Sequence, residues 1–168
     1  FALLTNDRFV SDDLGEHVNG ADSTPLILLP GNCAFPAEQT RAPAVQVIGV
    51  DDRFWELANR PVEDFRLGPR EAAINRPLAN LLGIPLIQEE SDGESFGTVV
   101  VRVEQPSAIP RDAPLADDAN LSIALRSSVV RILGPQEGGR FSIQNHHVAP
   151  PTIYVPLSTL QRELEEAD

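Results

Sequence analysis

The sequence contains no lysine and no methionine, and only one cysteine, one tryptophan and one tyrosine. With Cys33 as the sole thiol, an intrachain disulfide and a paired redox motif are both excluded, and the compartment is left open. A chain that starts at Phe1 and has no methionine is expected to be an internal segment of a longer product. Its longest apolar run, Leu26 to Leu29, is a strand's length, far below the roughly 20 residues that cross a bilayer as a helix. The opening residues are not expected to form a signal peptide. Aromatic residues make up only 5%, so aliphatic side chains must carry the core. Cations are scarce as well: 13 basic residues, all arginine, face 25 acidic ones, for a net charge of -12. Such a surface repels phosphate backbones and anionic lipid, so nucleic acid is not an expected partner.

What remains is an ordinary globular composition, 42% hydrophobic and 23% charged over 168 residues, enough for one domain or two small lobes sharing a core. A chain of this length buries about 70% of its unfolded surface and needs no metal or disulfide to fold. Phe9, Val10, Leu14 and Val18 predict a short amphipathic helix ending near Asn19-Gly20. Pro25 to Leu29 reads as a buried strand stopped by Pro30-Gly31-Asn32, and Ala44 to Val50 as a second strand. Asp51 and Asp52 then cap a helical turn through Arg53, Phe54, Trp55 and Leu57. Glu71 to Ile74 predicts a short strand entering a helix with Asn75 as N-cap, Pro77 in the first turn and Gly83 as the stop. Thr98 to Glu104 alternates as a strand should, and Leu121 to Leu133 reads as a long strand with a bulge in its second half. Between them Pro106 to Asn120, rich in Pro, Asp and Ala, predicts a long exposed loop. Gly134 to Gly139 reads as a hairpin connection into Phe141 to Gln144. Ile153 to Val155 is a short strand, and Ser158 with Gln161 suggests a capping box for a last helix. No repeat of 20 to 50 residues is visible. This order predicts an α+β fold of mixed and antiparallel sheet with a few short helices, arranged in one domain or two lobes.

Motifs for chemistry are few. Gly138-Gly139 lacks the spacing and lysine of a phosphate loop, and no G-x-S-x-G elbow is present. Cys33, in a loop-like Gly-Asn-Cys-Ala-Phe stretch, is a conceivable nucleophile with His146 or His147 as base; a lone thiol without a role is the preferred reading. His146 and His147, as strand neighbours, would point to opposite faces, so joint metal ligation would need His17 and carboxylates from elsewhere. The pairs Asp12-Asp13, Asp51-Asp52, Asp117-Asp118 and Glu165-Glu166 lack calcium-loop spacing and read as a solvated surface. No catalytic, cofactor or metal site is therefore expected. Contacts with a partner protein are expected, if anywhere, at Trp55 or in the predicted loop at Ile109 and Arg111. For Trp55 a core position is the preferred reading.

Three segments carry a resemblance. Val45 to Trp55 (VQVIGVDDRFW), Glu71 to Gly83 (EAAINRPLANLLG) and Tyr154 to Gln161 (YVPLSTLQ) are similar, in that order, to elements of MacB-type periplasmic core domains. The sequence departs from that pattern after Ile87, where Gln88 to Ser95 is a polar insertion. The resemblance implies a non-catalytic domain of an ABC transporter permease of the MacB/FtsX/LolC kind, lying between transmembrane helices on the outer face of a bacterial cytoplasmic membrane. ATP would be hydrolysed by a separate cytoplasmic subunit, while this domain moves with the transmembrane helices and touches cargo or a periplasmic protein. The rival expectations are a secreted or surface hydrolase built on His146, His147 and carboxylates, and a stand-alone protein-interaction domain.

Overall fold

The structure is a computed structural model, and it describes residues 23–57, 65–86, 95–104, 122–142 and 148–166. Six strands account for its architecture: β1 (Leu26–Phe35), β2 (Thr40–Val50), β3 (Glu71–Asn75), β4 (Thr98–Glu104), β5 (Ser122–Leu133) and β6 (Thr152–Pro156). They close into a barrel in the order β1-β2-β6-β3-β5-β4. Three helices accompany them: α1 (Asp52–Leu57), α2 (Arg76–Leu82) and α3 (Leu157–Glu166). The expected α+β fold of mixed and antiparallel sheet, in one domain or two lobes, is thus wrong: the chain is a closed six-stranded barrel. The strands that were read singly bond around one closed ring, and the helices are short attachments to it.

The barrel is mixed. β1 pairs antiparallel with β2 and β4, β4 with β5, and β3 with β6, whereas β2–β6 and β3–β5 are parallel. A parallel pair cannot be joined by a tight turn, so each of these two seams unites segments distant in sequence. The topology repeats itself. A hairpin (β1-β2), a helical turn (α1), a strand (β3) and a helix (α2) are followed by a second hairpin (β4-β5), an irregular turn at Pro135–Gly139, a strand (β6) and a helix (α3). The second strand of each hairpin lies parallel to the third strand of the other half. The repeat lives in the order and pairing of elements, which is why no self-similarity shows in the residues.

Strand alternation sorts the side chains. Val47, Ala72, Ile74, Val99, Val101, Val103, Ile123, Leu125, Ile153 and Val155 point to one core, to which α2 adds Leu78, Ala79 and Leu82 and α3 adds Leu160 and Leu164. The residues between them on the β2-β6-β3 wall (Ile48, Val50, Ala73 and Tyr154) face outward into a second cluster with Phe54 and Trp55, covered by Phe65, Leu67 and Phe141. Of nine aromatic residues in the chain, five (Phe54, Trp55, Phe65, Phe141 and Tyr154) meet there, with ring centroids 5.0 to 5.8 Å apart between neighbours. Scarce aromatics are concentrated where the barrel wall has no second sheet to cover it.

Two irregularities shape the ring. β1 does not stop at Pro30-Gly31-Asn32 as expected but continues to Phe35, because Gly31 lets β4 approach. A Cβ on Gly31 would lie 2.5 Å from the Arg102 carbonyl oxygen. Opposite this point the register shifts between Gly31–Val45 and Cys33–Ala42, so Pro43 and Ala44 bulge out of β2 and the proline needs no ladder partner. In β5 the expected bulge is present: Ala72 pairs Val129 and Ala73 pairs Arg131, leaving Val130 over.

α2 is bounded as its sequence requires. Asn75 caps it in extended conformation, Pro77 sits in its first turn, and Gly83 ends it with φ 73°. Thr40 donates to the Leu82 carbonyl at 2.6 Å, holding the helix end to the start of β2. α3 follows β6 without a connecting residue, so Ser158 lies inside its first turn and not at its cap. No strand begins at Phe141 or Ser142. The helix expected at Phe9 to Val18, the loop at Pro106 to Asn120 and most of the polar segment after Ile87 lie outside the described residues. Among the described residues no helix is long and apolar enough to cross a membrane, which says nothing about strands.

Candidate functional site

Two clefts lie where the helix after the third strand of one half starts beside the turn that follows the hairpin of the other half. One cleft, of about 270 Å³, is lined by Arg76, Pro77 and Asn80 of α2, by Leu133, by the turn residues Pro135, Gly139 and Arg140, and by Ala149. The other, of about 290 Å³, is lined by Leu157, Ser158 and Gln161 of α3, by Val50 and by Asp51, Asp52, Arg53 and Trp55 around α1, among others. Arg76, Pro77 and Asn80 hold the same places on α2 as Leu157, Ser158 and Gln161 on α3. The clefts are one feature built twice with opposite charge.

Below the first cleft lies the best-connected polar group of the described residues. The Asn75 side chain is buried, 1% exposed, and all four of its hydrogen-bonding positions are used. Its Oδ1 accepts from the Leu78 N–H at 3.1 Å and the Thr152 N–H at 3.0 Å; its Nδ2 donates to the Gly139 carbonyl at 3.1 Å and the Pro150 carbonyl at 2.8 Å. One amide thus ties the start of α2, the Pro135–Gly139 turn and the entry to β6. The turn is held from two further sides. Tyr154 donates to the Gly138 carbonyl at 2.6 Å, and burial raises its phenol well above the usual range. Glu137 accepts from the Gly134 N–H at 2.7 Å and from Arg131 at 2.9 Å. The Gly134 N–H, then Arg131, and more distantly Arg76, hold the Glu137 carboxyl below its ordinary value against the opposing effect of partial burial.

In the second cleft the charges are occupied. Asp51 accepts from the Thr24 hydroxyl at 2.7 Å, from the Phe54 N–H at 3.2 Å as the expected cap of α1, and from Arg53 at 2.8 Å. Asp52 pairs with Arg66 at 3.5 Å. In the first cleft Arg76 and Arg140 are exposed, and the four ion pairs among the described residues employ Arg53, Arg66, Arg131 and Arg162 instead.

The residues singled out from sequence fare differently. Trp55 is 3% exposed and stacked edge-on against Phe54 and Phe65, so its ring is committed to the outer aromatic cluster while it also lines the second cleft. Cys33 is not in an accessible loop: it lies on β1 inside the barrel, 1% exposed, and burial pushes its thiol up to about 12, so no thiolate forms near neutral pH. Ile109, Arg111, His17, His146 and His147 lie outside the described residues. Among the described residues no three His, Cys, Asp or Glu side chains gather as metal ligands would. Arg76 and Arg140 were not singled out. A readable signal existed for the first: an arginine at the opening position of a helix stands where an acidic residue is favoured, in a chain poor in cations.

No protein-family model matches the chain, and no curated protein sequence matches it.

Proposed function

We infer that this chain is an extracytoplasmic domain of an ABC transporter permease, a non-catalytic body that carries motion, driven by ATP hydrolysis in a separate cytoplasmic subunit, to a cargo or protein outside the membrane. The observation that supports this reading is the placement of the three segments resembling MacB-type domains. They are far apart in sequence, yet they supply β2, β3 and β6, which stand side by side in the barrel as β2-β6-β3. Each also runs directly from its strand into a helix: β2 toward α1, β3 into α2 and β6 into α3.

The rival hydrolase rests on His146 and His147, which lie outside the described residues, while Cys33, a separate candidate nucleophile, is sealed inside the barrel. The test is made on the complete gene product. Expressed with a tag in a Gram-negative host, it is expected to stay with the membrane pellet through an alkaline wash. Its 1–168 segment should be cleaved by protease added to the outer face of the inner membrane. It should also co-purify with a nucleotide-binding subunit encoded beside it. Recovery of the intact product free of membrane, or protection of the segment from outside protease, would refute the assignment.

A further inference from the structure

We propose that the cleft between α2 and the Pro135–Gly139 turn is a docking site for an acidic peptide segment of a partner protein, anchored by carboxylate contacts to Arg76 and Arg140. The proposal stands apart from the permease reading, since it rests on the cleft alone.

Charge complementarity is its first support. A protein of net charge -12 has carboxylates to spare, yet Arg76 and Arg140 stand at one cleft outside all four ion pairs of the described residues. Glu137, the acid nearest Arg76 in effect, has its oxygens engaged by Gly134 and Arg131. The duplicated cleft is an internal control. There the charged groups serve local structure, Asp51 as helix cap and ion-pair partner and Asp52 as the partner of Arg66. In the basic cleft neither Arg76 nor Arg140 belongs to an ion pair among the described residues, and Arg76 acts on Glu137 only from a distance. Guanidinium forks match carboxylates in shape and charge, and form stronger hydrogen bonds with them than neutral donors do.

The size of the cleft suits a peptide side chain better than a whole small molecule: at about 270 Å³ it falls below the range of small-molecule pockets, which begins near 300 Å³, and has room for one acidic side chain. Pro77, Leu133 and Pro135 give it apolar walls. One helical turn beyond Pro77, outside the cleft lining, Leu81 is 52% exposed and offers a separate apolar contact along α2. An occupant that carries a carboxylate and an apolar side chain a few ångströms apart satisfies both parts. A polyanion such as nucleic acid would bring many charges against the protein's own field. An acidic peptide brings few, and at about 8 Å screening length in physiological salt most of the distant repulsion is damped.

The experiment is an amide-resolved NMR titration of the 168-residue chain with a blocked hexapeptide, Gly-Leu-Glu-Asp-Leu-Gly, and with its Gln/Asn counterpart. Glutarate serves as the small carboxylate. The acidic peptide is expected to shift the amides of α2 and of the Pro135–Gly139 turn. Affinity should fall at least tenfold in Arg76→Gln/Arg140→Gln and about threefold in Leu81→Ser, and should not change in Arg102→Gln on the outer face of β4. Arg140→Gln alone repeats the test at an exposed turn position that leaves the helix untouched. The proposal is overturned by an absence of cleft shifts at millimolar peptide, by shifts that survive loss of both arginines, or by equal binding of the uncharged peptide. Glutarate binding as tightly as the peptide would equally overturn it, by making the site one for free carboxylates.

Discussion

Asn75 is the residue on which the described structure makes its sharpest demand. Replacing it by alanine removes the N-cap of α2, a loss of about 1 kcal/mol in comparable helices. It also strands the Thr152 N–H and the Gly139 and Pro150 carbonyls, which the amide now satisfies. Each buried polar group left without a partner costs roughly 1–3 kcal/mol. If water reaches one or two of them, the sum is about 3–6 kcal/mol, a large part of the 5–15 kcal/mol that holds a typical domain together. Asn75→Asp has nearly the same shape but a different fault. One oxygen can still accept from Leu78 and Thr152, whereas the other faces two carbonyls to which the amide had donated.

The two variants therefore separate by pH. A carboxylate at this 1%-exposed site is desolvated and opposed by carbonyl oxygens, so its folded-state pKa must rise above the unfolded value near 4. The folded protein then binds a proton more readily than the unfolded one, and stability increases as pH falls from 7 toward 5. Protonation also restores one donor. The deficit of Asn75→Asp relative to the parent should shrink over that interval, while that of Asn75→Ala stays constant. Urea unfolding followed through the fluorescence of Trp55, the single and buried tryptophan, measures both. With a slope of about 2 kcal/mol per molar urea, a 4 kcal/mol loss lowers the midpoint by about 2 M. A loss below about 1 kcal/mol in Asn75→Ala, or parallel pH profiles for the two variants, would refute the reasoning.

Glu137 gives the opposite pH signature. Its folded-state carboxyl titrates below its ordinary value of 4.5, so its stabilising contribution is complete above that value and disappears as pH falls through the lower folded value. The stability difference between the parent and Glu137→Gln should be flat above pH 5.5 and narrow below 4.5 in acid titrations of the urea midpoint. Cys33, inside the barrel with its thiol raised to about 12, should resist a thiol reagent at pH 8 in the native protein and react fully in 8 M urea. Stoichiometric native labelling within minutes would mean that the barrel opens at β1.

The parts of the fold that could be read in the sequence were those fixed by local chemistry. Asn75, Pro77 and Gly83 mark α2 because a cap acceptor, a preset φ and a left-handed stop are properties of those residues wherever they stand. The alternation of Val99, Val101 and Val103 gave β4 its inner face, and the broken alternation after Val129 marked the bulge in β5. Elements set by distant neighbours were not legible. Pro30-Gly31-Asn32 has the chemistry of a turn, yet β1 runs through it because β4 needs Gly31 for close approach. Nothing near Gln46 announces that it pairs with Thr152, or near Glu71 that it pairs with Ser128, and these parallel seams turn separate strands into a closed ring. For the same reason Arg76 and Arg140 could not be seen as one site: the Asn75 network that joins α2 to the turn is a tertiary product.

Closure also constrains how such a body could transmit motion. Divided between β3-α2 and β4, the described chain gives two halves, and only the β1–β2 and β4–β5 seams lie within a half. The other four seams (β1–β4, β2–β6, β3–β5 and β3–β6) cross between them. Neither half can satisfy its third strand alone, and an isolated two-stranded hairpin is marginal in water. A two-lobed domain could hinge between its lobes; in this ring four of the six strand pairings would have to break before the halves could part. Expressed separately as 1–90 and 91–168, the halves should be unfolded by far-UV circular dichroism and should recover strand signal and cooperative melting when mixed at equal molarity. Cooperative melting of either half by itself would show that the ring is two independent bodies after all.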